Sequence, residues 1–119
     1  FVNSATCSGV VFGSFNLELN ALTTKQNDQL IERIAKDFSN KFCNSVAFGL
    51  SKDSAIKFAG KENYLIFEKK KGFNNLKKEL IANRIAISVV DDCGYLINLR
   101  GEEGIKEFEN NYILINKNS

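Results

Sequence analysis

The chain has 119 residues, of which 44% are hydrophobic and ten are phenylalanine, so it is long enough and apolar enough to bury one core. Its 16 basic and 14 acidic residues leave a net charge of +2, which is too balanced for a surface built mainly to bind nucleic acid. The absence of histidine removes the side chain most used in acid–base catalysis and in zinc binding, so we expect neither an enzyme nor a cofactor.

Residues 1–20 are predicted to form an N-terminal extension ahead of a single helical domain that spans residues 21–119. Phe1 and Val2, followed by the small residues 3–5, resemble the end of a signal peptide, which would place the mature protein outside the cytoplasm. The alternative to a signal-peptide remnant is that the given sequence begins at an arbitrary position. Cys7 could be a free thiol, an intermolecular link or a lipidation site.

Three glycines followed by large apolar residues, Gly49-Leu50, Gly72-Phe73 and Gly94-Tyr95, are spaced almost evenly. A glycine at this position is typical of a helix end, because it adopts a left-handed conformation while the next residue folds back onto the last turn. The spacing therefore predicts four helices of similar length.

Apolar residues at helical spacing support each of these helices. The first is predicted from about Thr24 to Phe48, with Thr23 or Thr24 as its cap, and the second opens at Ser51 or Asp53. The third is predicted from Asn74 or Asn75 towards Cys93, and the fourth begins near Gly101. The residues that define their apolar faces are Leu30, Ile31, Ile34, Ala35, Phe38, Phe42, Val46, Ala55, Ile56, Phe58, Ala59, Leu65, Ile66, Phe67, Leu76, Leu80, Ile81, Ile85, Val89, Ile105, Phe108, Tyr112 and Ile115.

The fold class predicted from these patterns is an all-α bundle of about four helices. An α+β fold is the alternative, because residues 85–90 are rich in β-branched side chains. In that fold residues 91–94 would form the turn of a hairpin that spans residues 85–99.

Cys43 and Cys93 each lie close to one of the predicted helix ends, which predicts a disulfide between the first and third helices. Closing this loop would stabilise the fold by roughly 4 kcal/mol in the chain-entropy model, and it would require an oxidising compartment. Since the two cysteines differ in their distance from the terminating glycines, we expect helices one and three to be neighbours that are shifted or tilted. Two buried, reduced cysteines are the alternative.

A lysine cluster around Gly72 is the one candidate binding patch in the sequence. Such a cluster could contact phosphate, an acidic protein or a lipid surface, although Glu68 and Glu79 dilute its charge. The acidic pairs 91–92 and 102–103 are interpreted as solvated turns and caps, because adjacent residues on a helix do not face one another. The patch comprises Lys69, Lys70, Lys71, Phe73, Lys77 and Lys78.

Phe42-Cys43, Gly49-x-Ser51 and Cys93-x-Tyr95 together resemble short secreted helical proteins of small-genome cyanobacteria, over about half of the chain. That family has no established activity. The resemblance implies a periplasmic or thylakoid-lumen domain that could serve as an accessory subunit of a membrane complex.

The sequence thus favours a non-catalytic, extracytoplasmic domain that binds another protein, with peripheral membrane association as a further option. The alternative is a cytoplasmic domain that binds nucleic acid or an acidic partner through residues 69–78.

Overall fold

The computed structural model describes the backbone of residues 11–117 and the side chains of residues 25–117. Four α-helices occur in this range: α1 (Val11–Ala47), α2 (Lys52–Phe67), α3 (Lys78–Ile97) and α4 (Gly101–Lys117). The residues interpreted as a signal-peptide remnant, and Cys7, lie outside the described part. The described chain contains no strand, which confirms the all-α bundle, and the hairpin alternative over residues 85–99 is wrong because α3 runs through it to Ile97.

The helix α1 begins at Val11, well ahead of the predicted start at Thr24. Residues 11–20, which were assigned to an extension, therefore have helical backbone. Thr23 and Thr24 lie inside the helix, where a threonine costs only a few tenths of a kcal/mol and no proline interrupts the hydrogen-bond ladder.

The end of α1 follows the prediction closely. Gly49 has φ of 108°, its N–H donates to the carbonyl of Val46 at 3.0 Å, and the N–H of Leu50 donates to the carbonyl of Ser45 at 3.0 Å. This pair of bonds is the Schellman motif, which satisfies carbonyls that the helix leaves open. Ser51 then caps α2, as predicted, by accepting a hydrogen bond from the N–H of Ser54.

The connection between α2 and α3, residues 68–77, differs from the prediction. The helix α2 ends at Phe67, so Lys69, Lys70 and Lys71 follow the helix and do not lie in its last turn. Gly72, with φ of 90°, precedes a short 3₁₀ turn at Phe73–Asn75, and α3 begins only at Lys78. The expected cap residues Asn74 and Asn75 thus belong to the 3₁₀ turn.

The helix α3 does not end at Gly94, contrary to the prediction. Cys93 has φ of −146° and ψ of 26°, so the helix is kinked there and then continues to Ile97. Asn98 takes the left-handed conformation in place of the glycine, with φ of 59°, and its N–H donates to the carbonyl of Gly94. Asparagine tolerates this conformation better than other residues with a side chain.

The direction of each helix follows from the residues that meet across the bundle. Between α1 and α3 the pairs Glu32–Arg84, Ser39–Ser88 and Cys43–Cys93 are 52, 49 and 50 positions apart, and a near-constant separation means parallel helices. Asn63 of α2 contacts Ile34 and Asp37, while Arg33 lies over Phe67, so α2 runs antiparallel to α1. The parallel pair α1 and α3 lies side by side, with α2 packed against α1 and α4 packed against both α3 and α2.

Aromatic rings from α1 and α4 fill the centre of the bundle. Phe38 and Phe42 are fully buried and pack edge-to-face against Phe108, with centroid distances of 6.2 and 5.1 Å. The Tyr112 ring meets Phe38 edge-on at 5.3 Å. Edge-to-face pairs contribute about 0.5–1.5 kcal/mol each beyond their burial, so this cluster ties α4 to α1 although the two helices share little backbone contact.

Candidate interaction surfaces and the cysteine pair

The predicted disulfide between Cys43 and Cys93 is present, with 5.9 Å between the two Cα atoms. Each cysteine lies four residues before the last residue of its helix, because α3 continues past Gly94. The predicted axial offset between the cysteines therefore disappears, while the predicted contact between the first and third helices is confirmed. Cys93 is only 2% exposed and Cys43 is half-buried, so the bond is largely shielded from solvent.

A hydrogen bond beside the disulfide links the same two helices. The hydroxyl of Ser39, which is completely buried, donates to Oδ2 of Asp92 at 2.7 Å and lies 3.8 Å from Sγ of Cys43. Asp92 was expected to be a purely solvated turn residue, and it is instead an exposed helical residue with a partner in the core. No pattern in the sequence distinguishes Ser39 from the other serines, except its position on the apolar face of α1.

The buried polar side chain of Asn63 joins α2 to α1. Its Nδ2 donates to the carbonyl of Ile34 at 3.0 Å and to Oδ2 of Asp37 at 2.9 Å. Asp37 also accepts from Nζ of Lys41 at 2.6 Å. Because every amide hydrogen of this buried group has a partner, the site is structural, and it offers no free group for chemistry.

The pKa of Tyr112 departs clearly from its ordinary value. Burial of the phenol against the aromatic cluster raises the pKa of Tyr112 to about 12, because the interior disfavours the charged phenolate. Its hydroxyl therefore stays protonated at physiological pH, and Tyr112 contributes packing to the bundle.

The predicted lysine patch lies at one end of the bundle, which we call the lysine end and define as residues 68–78. All five lysines are exposed, whereas Phe73 is half-buried and packs edge-to-face against Tyr64 with 5.8 Å between centroids. Phe73 therefore anchors the connection to α2 and to the core, and the lysines form the solvent-facing part of the patch.

A groove lies between α3 and α4 at the opposite end of the bundle; we call it the Tyr95 groove. Tyr95 is 73% exposed, and Leu99 forms the buried floor. Gly94 of α3 and Gly104 of α4 both allow the backbone of Leu99 to approach closely, because a Cβ on either one would collide with it. Its lining residues are Ile87, Val90, Asp91, Tyr95, Leu99, Arg100, Gly101 and Ile105.

Two charged side chains line the Tyr95 groove, Asp91 and Arg100, and both are exposed. The sequence did not point to this groove, since its walls come from the kinked end of α3 and the start of α4. In the sequence, Tyr95 is notable as a residue that follows a glycine and as part of the Cys93-x-Tyr95 motif, and neither feature predicts a binding groove.

Between residues 25 and 117, no three histidine, cysteine, aspartate or glutamate side chains come together in a way that could hold a metal ion. None of the described helices is both long and apolar enough to cross a membrane. No protein-family model, curated protein or solved structure matches the chain.

Proposed function

We propose that this protein is a non-catalytic, extracytoplasmic interaction domain that binds a protein partner through the Tyr95 groove, as an accessory subunit of a membrane-associated complex. The observation that carries the proposal is the exposure of Tyr95 at a mostly apolar groove between α3 and α4. A tyrosine supplies a large contact area at low entropic cost, and aromatic anchors of this kind dominate the energetics of many interfaces.

The rigidity of the groove supports this role. Cys93, Tyr95 and Asp91 belong to the same short stretch of α3, so the disulfide to α1 holds the wall from which Tyr95 projects. Close packing around Leu99 holds the opposite wall. A preformed surface binds more tightly because less conformational entropy is lost when the partner arrives.

The partner that fits this surface presents an apolar side chain flanked by charged residues of both signs. The apolar side chain would contact Ile87, Val90 and Tyr95, while a basic residue would face Asp91 and an acidic residue would face Arg100. Complementary charge of this kind raises the association rate and selects among partners.

An extracytoplasmic location is supported by the disulfide, since such bonds persist in oxidising compartments. Its test is the thiol state of the native protein, isolated with an alkylating reagent present from lysis onwards. We expect Cys43 and Cys93 to resist alkylation until a reductant is added. Complete alkylation of both residues without reductant would remove the support for this location.

The binding surface is tested by placing a photo-crosslinking amino acid at position 95 in the producing cells, and at position 64 as the control. Tyr64 is a suitable control because it is also an exposed tyrosine, 53% accessible, at the other end of the bundle. We expect one crosslinked protein from position 95 that is absent from position 64.

The crosslinked partner is then purified and titrated with the wild type, Tyr95→Ala and Tyr64→Ala. Loss of an aromatic anchor costs about 2 kcal/mol or more, so Tyr95→Ala should raise Kd roughly 30-fold while Tyr64→Ala leaves it unchanged. Equal affinity of the Tyr95→Ala variant and the wild type would overturn the groove as the binding site.

A further inference from the structure

We propose that the lysine end docks on the surface of an anionic lipid bilayer. This inference is independent of the Tyr95 groove, because it concerns the opposite end of the bundle and a different class of partner. If both proposals hold, the domain lies on the membrane with its protein-binding groove directed away from it.

The lysines of this end are concentrated on a well-anchored connection. Residues 68–79 contain five lysines and only two acidic residues, Glu68 and Glu79, and all five lysines are exposed. The connection is held by the edge-to-face contact of Phe73 with Tyr64 and by Leu76, which packs against the core. Several cations can therefore meet a flat anionic surface together, without first ordering a flexible loop.

Exposed apolar side chains flank the lysine connection in the sequence. Leu65 lies three residues before the connection and Leu80 three residues after it, and both are about half exposed. Tyr64 and Ile66 are exposed in the same last turns of α2. Lysines next to leucine and aromatic side chains are typical of surfaces that lie in the headgroup region of a membrane.

The course of α1 points to the same end. Asn27 of α1 lies against Gly72, since a Cβ on that glycine would be 3.8 Å from the Asn27 Oδ1 atom. From this level the helix continues back to Val11, about 24 Å further along its axis. Glu18 is the single charged residue among residues 11–24, so the part of α1 that continues past the level of the lysines carries little charge.

A lipid surface fits this end better than nucleic acid does. Proteins that bind single-stranded nucleic acid combine arginine with aromatic rings free to stack on bases. Residues 68–80 contain no arginine, and Phe73, the one aromatic residue among them, is half-buried against Tyr64.

The experiment is co-sedimentation of the oxidised full chain with phosphatidylcholine vesicles, with and without phosphatidylglycerol, at low and high salt. We expect binding only to the anionic vesicles and a steep loss at high salt. Each lysine at such a surface contributes roughly fivefold in affinity, so Lys69→Gln/Lys70→Gln/Lys71→Gln should lose on the order of 100-fold.

The matched control is Lys57→Gln/Arg100→Gln/Lys106→Gln, which removes the same charge outside the lysine end. It should bind anionic vesicles within about threefold of the wild type, because charges beyond a Debye length from the surface contribute little. Equal losses in the two triple variants would overturn the proposal, since they would report net charge alone.

A second variant, Leu65→Ser/Leu80→Ser, tests the apolar contribution. It should weaken vesicle binding while leaving the salt dependence of the remaining binding unchanged.

No binding of the wild type to anionic vesicles overturns the proposal. Binding to RNA or to an acidic peptide without vesicle binding also overturns it, and would assign the lysine end to that partner. The variant Tyr95→Ala should bind vesicles like the wild type, so this test is separate from that of the groove.

Discussion

Ser39 of α1 donates a hydrogen bond of 2.7 Å to Asp92 of α3, one helical turn before Cys43 and one residue before Cys93. The covalent and the polar link between the parallel helices are therefore adjacent. Asp92 is exposed on its outer side, so its carboxylate keeps water while one oxygen accepts from the core. The arrangement satisfies a buried hydroxyl without burying a charge.

Replacement of Ser39 by alanine should lower the free energy of unfolding by about 1–2 kcal/mol, because a hydrogen bond to a charged acceptor is lost. Urea denaturation monitored by circular dichroism measures this change. The control is Ser54→Ala, an exposed serine whose side chain accepts no bond in the core, and we expect it to stay within about 0.5 kcal/mol of the wild type. Indistinguishable midpoints for Ser39→Ala and Ser54→Ala would contradict a stabilising role for this bond.

Asn63→Ala should destabilise the bundle by about 2–3 kcal/mol. The substitution leaves the buried carbonyl of Ile34 and one oxygen of Asp37 without their donor, and it opens a small cavity between α1 and α2. Asn110→Ala, in an exposed position of α4, is the matched control, with an expected change of about 0.5 kcal/mol or less. A similar stability of the two variants, from urea denaturation, would mean that the amide contacts of Asn63 contribute nothing net.

Removal of the disulfide by Cys43→Ala/Cys93→Ala should lower the free energy of unfolding by roughly 4 kcal/mol, less any native strain, since the bond closes a loop with a sequence separation of 50. The measurement is urea denaturation with and without reductant, in a Cys7→Ser background that prevents exchange with the third cysteine. Reductant should shift the protein with both cysteines to lower urea and leave the double variant unchanged. An unshifted midpoint on reduction would mean that the cross-link adds no stability.

The stability of the bundle should fall as the pH rises through the window from about 10 to 12, because of Tyr112. Its pKa is about 12 in the folded chain and near 10 in an unfolded one, so the folded state holds the proton more tightly. This contribution is fully present below about pH 10 and is lost as the pH approaches 12, at up to about 1.4 kcal/mol per pH unit.

The variant Tyr112→Phe isolates this effect, because it keeps the ring against Phe38 and removes the ionisable hydroxyl. Urea denaturation at a series of alkaline pH values should show a shallower loss of stability for this variant than for the wild type. Tyr95→Phe, at an exposed position, should follow the wild type. Parallel pH profiles of the wild type and Tyr112→Phe would exclude a perturbed phenol.

The number of helices, most residues of their apolar faces and the end of α1 followed from the sequence, because these features depend on local spacing. Phe58, Leu65, Ile66 and Leu80 were also predicted on apolar faces and are about half exposed. Ile34, Phe38 and Phe42 recur at the helical period and are buried, and Gly49 ends α1 with the expected left-handed backbone. The disulfide was also predictable, since two cysteines near predicted helix ends have few alternatives. The exposure of the lysines follows from their charge alone.

Only the tertiary structure decided which of the glycines that can end a helix does so, and which residues meet across the bundle. Gly94 carries the same glycine signal as Gly49, yet it lies inside α3, because its missing side chain is needed for the close approach of Leu99. The partners of Ser39 and Asn63 lie on other helices, so no local pattern could identify them. The parallel placement of α1 beside α3, joined by Cys43 and Cys93, depends on how whole apolar faces pack together, so no local pattern could predict it. This placement puts the Tyr95 groove and the disulfide at one end of the bundle and the lysines at the other.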